Sequence, residues 1–117
     1  LADERAFEAA LGAWLTEPKP QVWFERAGHW RRGQGLRLDR RTRMLYDRRH
    51  VFVNGEAFRT AGRDATLLRR LADRGTLAAV DAAELSGTAR ERLAGWVDAG
   101  WLTPFDASDA DAPGDHP

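Results

Sequence analysis

The chain has 117 residues, no cysteine, and 18 basic against 18 acidic side chains, for a formal net charge of zero. A chain of this length is one domain and can bury enough surface to fold alone. The missing cysteines exclude disulfides, thiolate metal sites and cysteine nucleophiles, and no apolar run reaches the roughly 18 residues of a membrane span. The neutral total is unevenly laid out. Residues 1–25 carry net −3, residues 26–49 net +7 through nine arginines, residues 50–105 net zero and residues 106–117 net −4. Every basic residue except Lys19 is arginine, the first residue is Leu1 and the one methionine is Met44. That start reads as a processed product or an excised fragment, and no signal-peptide pattern precedes the first helix.

In chain order, Leu1 to Leu15 predicts an amphipathic helix. Phe7, Leu11, Trp14 and Leu15 share one face at helical spacing, and Asp3, Glu4 and Glu8 favour its start. Pro18 and Pro20 end it. Its apolar face has two readings, packing on its own domain or packing on a further domain or a second copy. Residues 18–35 read as a connecting arm broken by Pro18, Pro20, Gly28, Gly33 and Gly35. Val22, Trp23, Phe24 and Trp30 are expected to pack it on the domain surface, with base stacking as the other use of aromatics beside arginines.

Residues 36–59 predict a small antiparallel β-meander. Leu36 and Leu38 alternate with Arg37 and Asp39. Met44-Leu45-Tyr46 and Val51-Phe52-Val53 flank a turn at Asp47-Arg48-Arg49. Asn54-Gly55 is the sequence of a type I′ hairpin turn.

Three helices should follow. The first runs from a cap at Asp64 to Arg74 and closes at Gly75. A short one covers Ala79 to Leu85. The last opens on a capping box, Thr88 with Glu91, and runs to about Ala99 with Gly100 as its stop. Trp101 to Phe105 reads as a strand that Pro104 places at a sheet edge. The predicted core is Leu67, Leu68, Leu71, Leu77, Leu85, Leu93, Trp96, Val97 and Leu102, with the inward strand residues. Residues 106–117, small and acidic, should be disordered. The fold class is α+β, a winged-helix-like domain over 36–105 with the meander and an N-terminal amphipathic helix attached.

A winged helix suggests DNA binding through its last helix. Here that helix buries Ala89, Leu93, Trp96 and Val97 and opposes them with Glu91, Ala94, Gly95 and Asp98. Carboxylates repel phosphate, so groove reading by this face is disfavoured. The basic segment 26–49 stays open as a nucleic-acid contact, through Arg37, Arg40, Arg41, Arg43, Arg48 and Arg49. Strand-edge charge is the plainer use of the same residues. Nothing marks a catalytic centre. His29, His50 and His116 lie apart, no helical His pair or phosphate loop exists, and Ser86 and Ser108 sit outside any nucleophile elbow. No catalytic, cofactor-binding or metal-binding residue is assigned.

Three patterns carry a family resemblance. Leu11-Gly-Ala-Trp-Leu15 closes a helix before an extended arm. Arg37-Leu-Asp-Arg-Arg-Thr-Arg-Met-Leu-Tyr46 runs into Val51-Phe-Val-Asn-Gly-Glu56. Leu93-Ala-Gly-Trp-Val-Asp-Ala-Gly-Trp-Leu102 ends the domain. In order and spacing the chain resembles the C-terminal domain of bacterial ribosomal oxygenases, JmjC-type, cupin-fold enzymes that use Fe(II) and 2-oxoglutarate. The resemblance implies a parent hydroxylating an arginine of a ribosomal protein in the cytoplasm, with a His-x-Asp…His iron site in a domain preceding this one. No His-x-Asp occurs here, so it implies a non-catalytic domain serving structural or protein-interaction roles, and no catalytic residue carries over. The implied partners are that catalytic domain, the ribosomal protein substrate, and a second copy through the parent's helical region, to which Phe7, Leu11, Trp14 and Leu15 would belong. A free-standing nucleic-acid-binding winged helix acting through 26–49 is the alternative.

Overall fold

Helix α1 (Ala2–Thr16) comes first, then strands β1 (Gln34–Leu38), β2 (Met44–Tyr46), β3 (His50–Val53) and β4 (Glu56–Arg59). Helix α2 (Gly62–Arg74), strand β5 (Thr76–Leu77), the one-turn helix α3 (Ala79–Ala82), helix α4 (Gly87–Asp98) and strand β6 (Leu102–Asp106) complete the order. The computed structural model describes residues 2–18 and 29–106, with residues 2–7 as helix backbone alone. The expectations for Val22, Trp23 and Phe24, for the tail beyond Asp106 and for the Phe7 side chain therefore lie outside the described residues.

The predicted core is the observed one. Leu36, Leu67, Leu71, Leu77, Leu93 and Leu102 are fully buried, and Val51, Val53, Leu68, Leu85, Trp96 and Val97 join them. In α2, Leu67, Leu68 and Leu71 recur on one helical face, which is why this stretch is helical and why that face turns inward. Gly75 closes α2 at φ 76°, its N–H donating to the Leu71 carbonyl, a conformation that glycine adopts without a Cβ clash.

Among the described residues the strands form two antiparallel sheets of three, ordered β5–β1–β6 and β2–β3–β4. This corrects the single meander over 36–59. β1 leaves its chain neighbours and pairs with β6, Leu36 opposite Pro104 and Leu38 opposite Leu102, while its other edge takes Leu77 of β5. Both partners lie far along the chain, and β5, two residues long, has no periodicity to announce it. Pro104 does sit in an edge strand, as its missing N–H requires. Gly35 is there because a Cβ would meet the Phe105 ring at 2.5 Å. Asn54 at φ 47° and Gly55 at φ 90° make the expected I′ turn.

Five boundaries differ from the sequence reading. α2 starts at Gly62 after Ala61 with no side-chain cap; Asp64 instead accepts from the Ser86 N–H (2.9 Å) and hydroxyl (2.6 Å). α4 is capped by Ser86, whose oxygen accepts from the Ala89 N–H, and not by a Thr88–Glu91 box. Ser86 takes the role because its backbone is extended while Gly87 already lies in the helix. α3 stops at Ala82, with the Leu85 N–H bonding back to the Ala82 carbonyl as a turn. β1 begins at Gln34 and β6 runs to Asp106, one or two residues into segments read as arm and tail.

The helices α2, α3 and α4 with the β5–β1–β6 sheet form an α+β winged-helix arrangement. The β2–β3–β4 sheet is inserted between β1 and α2. Met44, Val51 and Val53 point from it into the core, and α1 covers its opposite face.

Candidate functional site

Three surfaces bear on function, and the first is α1. The helix docks on the β2–β3–β4 sheet through small residues. A Cβ at Gly12 would lie 2.5 Å from the Phe52 ring, so glycine is what allows the close approach. Thr16 is fully buried. Its hydroxyl donates to the Gly12 carbonyl (3.0 Å) and accepts from the Gly55 N–H (2.9 Å), tying the helix end to the I′ turn. The large residues point away. Trp14 is 65% exposed, Leu15 47% and Leu11 43%, and Leu45 and Tyr46 of β2 are similarly exposed. Leu11 and Leu15 face Leu45 and Tyr46 across a cleft of about 630 Å³ whose rim carries Arg48 and Arg49. Of the predicted apolar face, Trp14 is the most exposed, while Leu11 and Leu15 are partly covered at the cleft.

The second surface is the face of α4. Glu91, Ala94, Gly95 and Asp98 are exposed there, as the helical wheel predicts. The flanking arginines are turned onto aromatic rings. The Arg90 guanidinium lies 4.4 Å from the Trp30 ring centre and donates to the Ala82 carbonyl, and that of Arg92 lies 4.1 Å from the Phe58 ring centre. Cation–π contact and hydrogen bonding hold these cations against the protein. Trp30, whose indole N–H donates to the Gln34 carbonyl, is thereby a packing residue.

The third surface is arginine. The structure distributes the six candidates over three places. Arg37 lies on β1, its guanidinium 5.0 Å from the Phe105 ring centre. Arg40, Arg41 and Arg43 surround the entry to β2, and Arg41 grips Asp39 through two bonds of 2.9 and 3.1 Å. That grip holds the Asp39 carboxyl below the usual carboxylate range. Arg48 and Arg49 sit at the opposite end of β2, in the turn to β3. Arg69 of α2 donates to the Arg48 carbonyl (3.1 Å), and strand register sets Arg59 opposite His50. Sequence reading missed Arg59 and Arg69, because only pairing register and the α2 packing bring them to this turn. Hairpin register, counted outward from Asn54-Gly55, is the signal that would have found Arg59.

Asp47 organises the same turn. Its carboxylate accepts from the Arg49 and His50 N–H groups, both at 2.8 Å, and lies 3.4 Å from the His50 Nδ1. Burial works to raise its pKa, but these bonds and the imidazole outweigh burial and hold the carboxyl below its ordinary value. Tyr46, bonded to Asp73 of α2, is pushed the other way, since its anion would face that carboxylate.

Among the described residues no group of three or more His, Cys, Asp or Glu could hold a metal ion. His29 is exposed, and His50 lies 3.4 Å from Asp47 with its ring stacked on Phe52. No described helix is long and apolar enough to cross a membrane.

These features define a winged-helix domain whose last helix is acid-faced and whose first helix carries an outward apolar face. A family model for the ROXA-like winged helix matches residues 1–103, and the chain belongs to that family. No curated protein matches it. Similar solved structures include an X-ray structure of Escherichia coli YcfD, 19% identical with a TM-score of 0.69 over 85% of this chain and 29% of that one. Another is YcfD described as a ribosomal oxygenase from Escherichia coli in complex with cobalt and succinic acid, 22% identical with a TM-score of 0.61 over 84% of this chain. A third, the Escherichia coli ribosomal oxygenase YcfD, is 20% identical with a TM-score of 0.62 over 85%. The chain spans about 30% of the length of these proteins.

Proposed function

We propose that this chain acts as the non-catalytic winged-helix domain of a ribosomal oxygenase that uses Fe(II) and 2-oxoglutarate to hydroxylate an arginine of a ribosomal protein. Its role is structural and protein-binding. The observation that carries the reading is the match of residues 1–103 to the ROXA-like winged helix. Two features of the molecule support it. The α4 face offers Glu91 and Asp98 where a groove reader offers cations, with Arg90 and Arg92 held on aromatic rings. The outward face of α1, Leu11, Trp14 and Leu15, has the chemistry of a contact with the remainder of the parent or a second copy. In this reading the iron and 2-oxoglutarate ligands belong to the preceding catalytic domain, and the protein works in the cytoplasm, where its ribosomal substrate is made.

The test is the genomic reading frame ahead of the Leu1 codon. A continuous frame encoding His-x-Asp…His supports the proposal, and a start codon immediately before Leu1 overturns it. The 117-residue chain, given Fe(II), 2-oxoglutarate and ribosomal protein, is expected to turn over no 2-oxoglutarate. Turnover by this chain alone overturns its non-catalytic role.

A further inference from the structure

The end of the β2–β3–β4 sheet gathers cations that are far apart in sequence. Arg48 and Arg49 occupy the β2–β3 turn. Arg59 ends β4 beside them, its register partner being His50, and the Thr60 N–H bonds to the Arg49 carbonyl. Arg48 and Arg59 are exposed and Arg49 is half-buried. None of the three makes an ion pair among the described residues. Behind them Arg69 bonds the Arg48 carbonyl and lies 5.8 Å from the Tyr46 ring centre, which fixes the turn from the α2 side.

The acids nearby are already engaged. Asp47 is held by the turn's own N–H groups and Asp73 by the Tyr46 hydroxyl. Among the described residues that line the cleft, Glu8 of α1 is the other carboxylate, and it is exposed. Two exposed guanidiniums and a half-buried one, against one exposed acid among the described residues of the cleft, make a local positive point on a net-neutral protein.

We propose that Arg48, Arg49 and Arg59 form a docking point for the phosphate backbone of RNA. Guanidinium groups match phosphate oxygens in charge and bidentate geometry. Phosphate contacts of this kind position a nucleic acid and carry no sequence information, so the contact is to the backbone. Duplex DNA is the poorer partner, because a winged helix reaches the duplex with its last helix and here that face carries Glu91 and Asp98. The choice of RNA rests on the ribosomal reading above; the positive point itself does not.

The experiment is fluorescence anisotropy of the chain with a labelled single-stranded RNA over a salt series. Three phosphate contacts predict a roughly 20-fold loss of affinity between 50 and 200 mM salt. Arg48→Gln/Arg49→Gln/Arg59→Gln should abolish that binding, whereas Arg40→Gln/Arg43→Gln should retain it. If the triple variant loses its helical circular dichroism, Arg48→Gln alone serves, and its salt slope should fall by about 0.7. The proposal is overturned by no measurable affinity at 50 mM salt, by unchanged binding of the triple variant, or by equally tight binding of polyglutamate or of duplex DNA. These outcomes leave the reading-frame test untouched, so failure of one is distinguishable from failure of the other.

Discussion

Helices α1 and α2 are both amphipathic in sequence, yet they sit on the β2–β3–β4 sheet in opposite ways. α2 turns Leu67, Leu68 and Leu71 inward, each at most 2% exposed. α1 turns Gly12 and Thr16 inward and leaves Leu11, Trp14 and Leu15 outside. For α2 the apolar arc is the docking face, as hydrophobic burial demands. For α1 the docking face is chosen by close approach and one polar tie. The larger apolar side chains of α1 are left exposed. An apolar stripe therefore reports that a helix will be covered, and the small residues report where its own domain covers it.

The sharpest break of this comparison is truncation on each face. Leu71→Ala should cost about 2–5 kcal/mol, the transfer and cavity cost of a fully buried leucine. Trp14→Ala should change stability by no more than about 0.5 kcal/mol, since the side chain is already in solvent. Urea denaturation of the two variants measures both. A large loss for Trp14→Ala would mean that α1 uses its apolar face within this domain.

What could be read from sequence follows the same division. The leucines of α2 and α4, the Asn54-Gly55 turn and the edge position of Pro104 carry local signals, and all three appear where expected. The partner of β1 does not, because pairing Leu36 with Pro104 and Leu77 is decided by residues far along the chain. Ser86 and Thr88 are both acceptable caps two residues apart, and only the extended backbone at Ser86 distinguishes them. Gly12 and Thr16 give no apolar signal, so the true docking face of α1 was invisible to periodicity. The arginines of 26–49 read as one block because they are consecutive in sequence. Folding divides them, then adds Arg59 and Arg69 from outside the block.

Gly12→Ala sharpens the comparison next. On an unattached helix this change is favourable by about 1 kcal/mol. Here the new Cβ meets the Phe52 ring, which is 3% exposed and packed beneath α1. Overpacking of this kind should cost about 1–3 kcal/mol. Hydrogen exchange should speed up along α1 while α2 keeps its protection. Increased stability would mean that the close approach is not what holds α1.

The polar ties can be compared at smaller magnitude. Ser86→Ala removes the α4 cap and the bond to Asp64 of α2, and should cost about 1 kcal/mol, whereas Thr88→Ala should cost almost nothing. Thr16→Val removes the acceptor of the Gly55 N–H and should cost a similar 1 kcal/mol or so, felt in α1. Thermal unfolding of the three variants ranks them.

The smallest expected effect is a pH dependence confined to the α1 side. Asp47 is held below its ordinary value of 3.8, although burial alone would raise it. A depressed carboxyl stabilises the fold above its unfolded pKa, and that contribution is lost as pH falls through the lower folded value. Asp47→Ala should therefore be less stable than the parent chain at about pH 6, and the gap should narrow as pH falls below about 4. Asp39 is depressed too, by Arg41, but it titrates in both proteins and largely cancels from the difference. Because Asp47 shapes the turn that faces Leu11 and Leu15, acid should loosen α1 before α2, which hydrogen exchange at the two pH values would resolve. A gap independent of pH would assign the loss to the deleted side chain's packing and not to its charge.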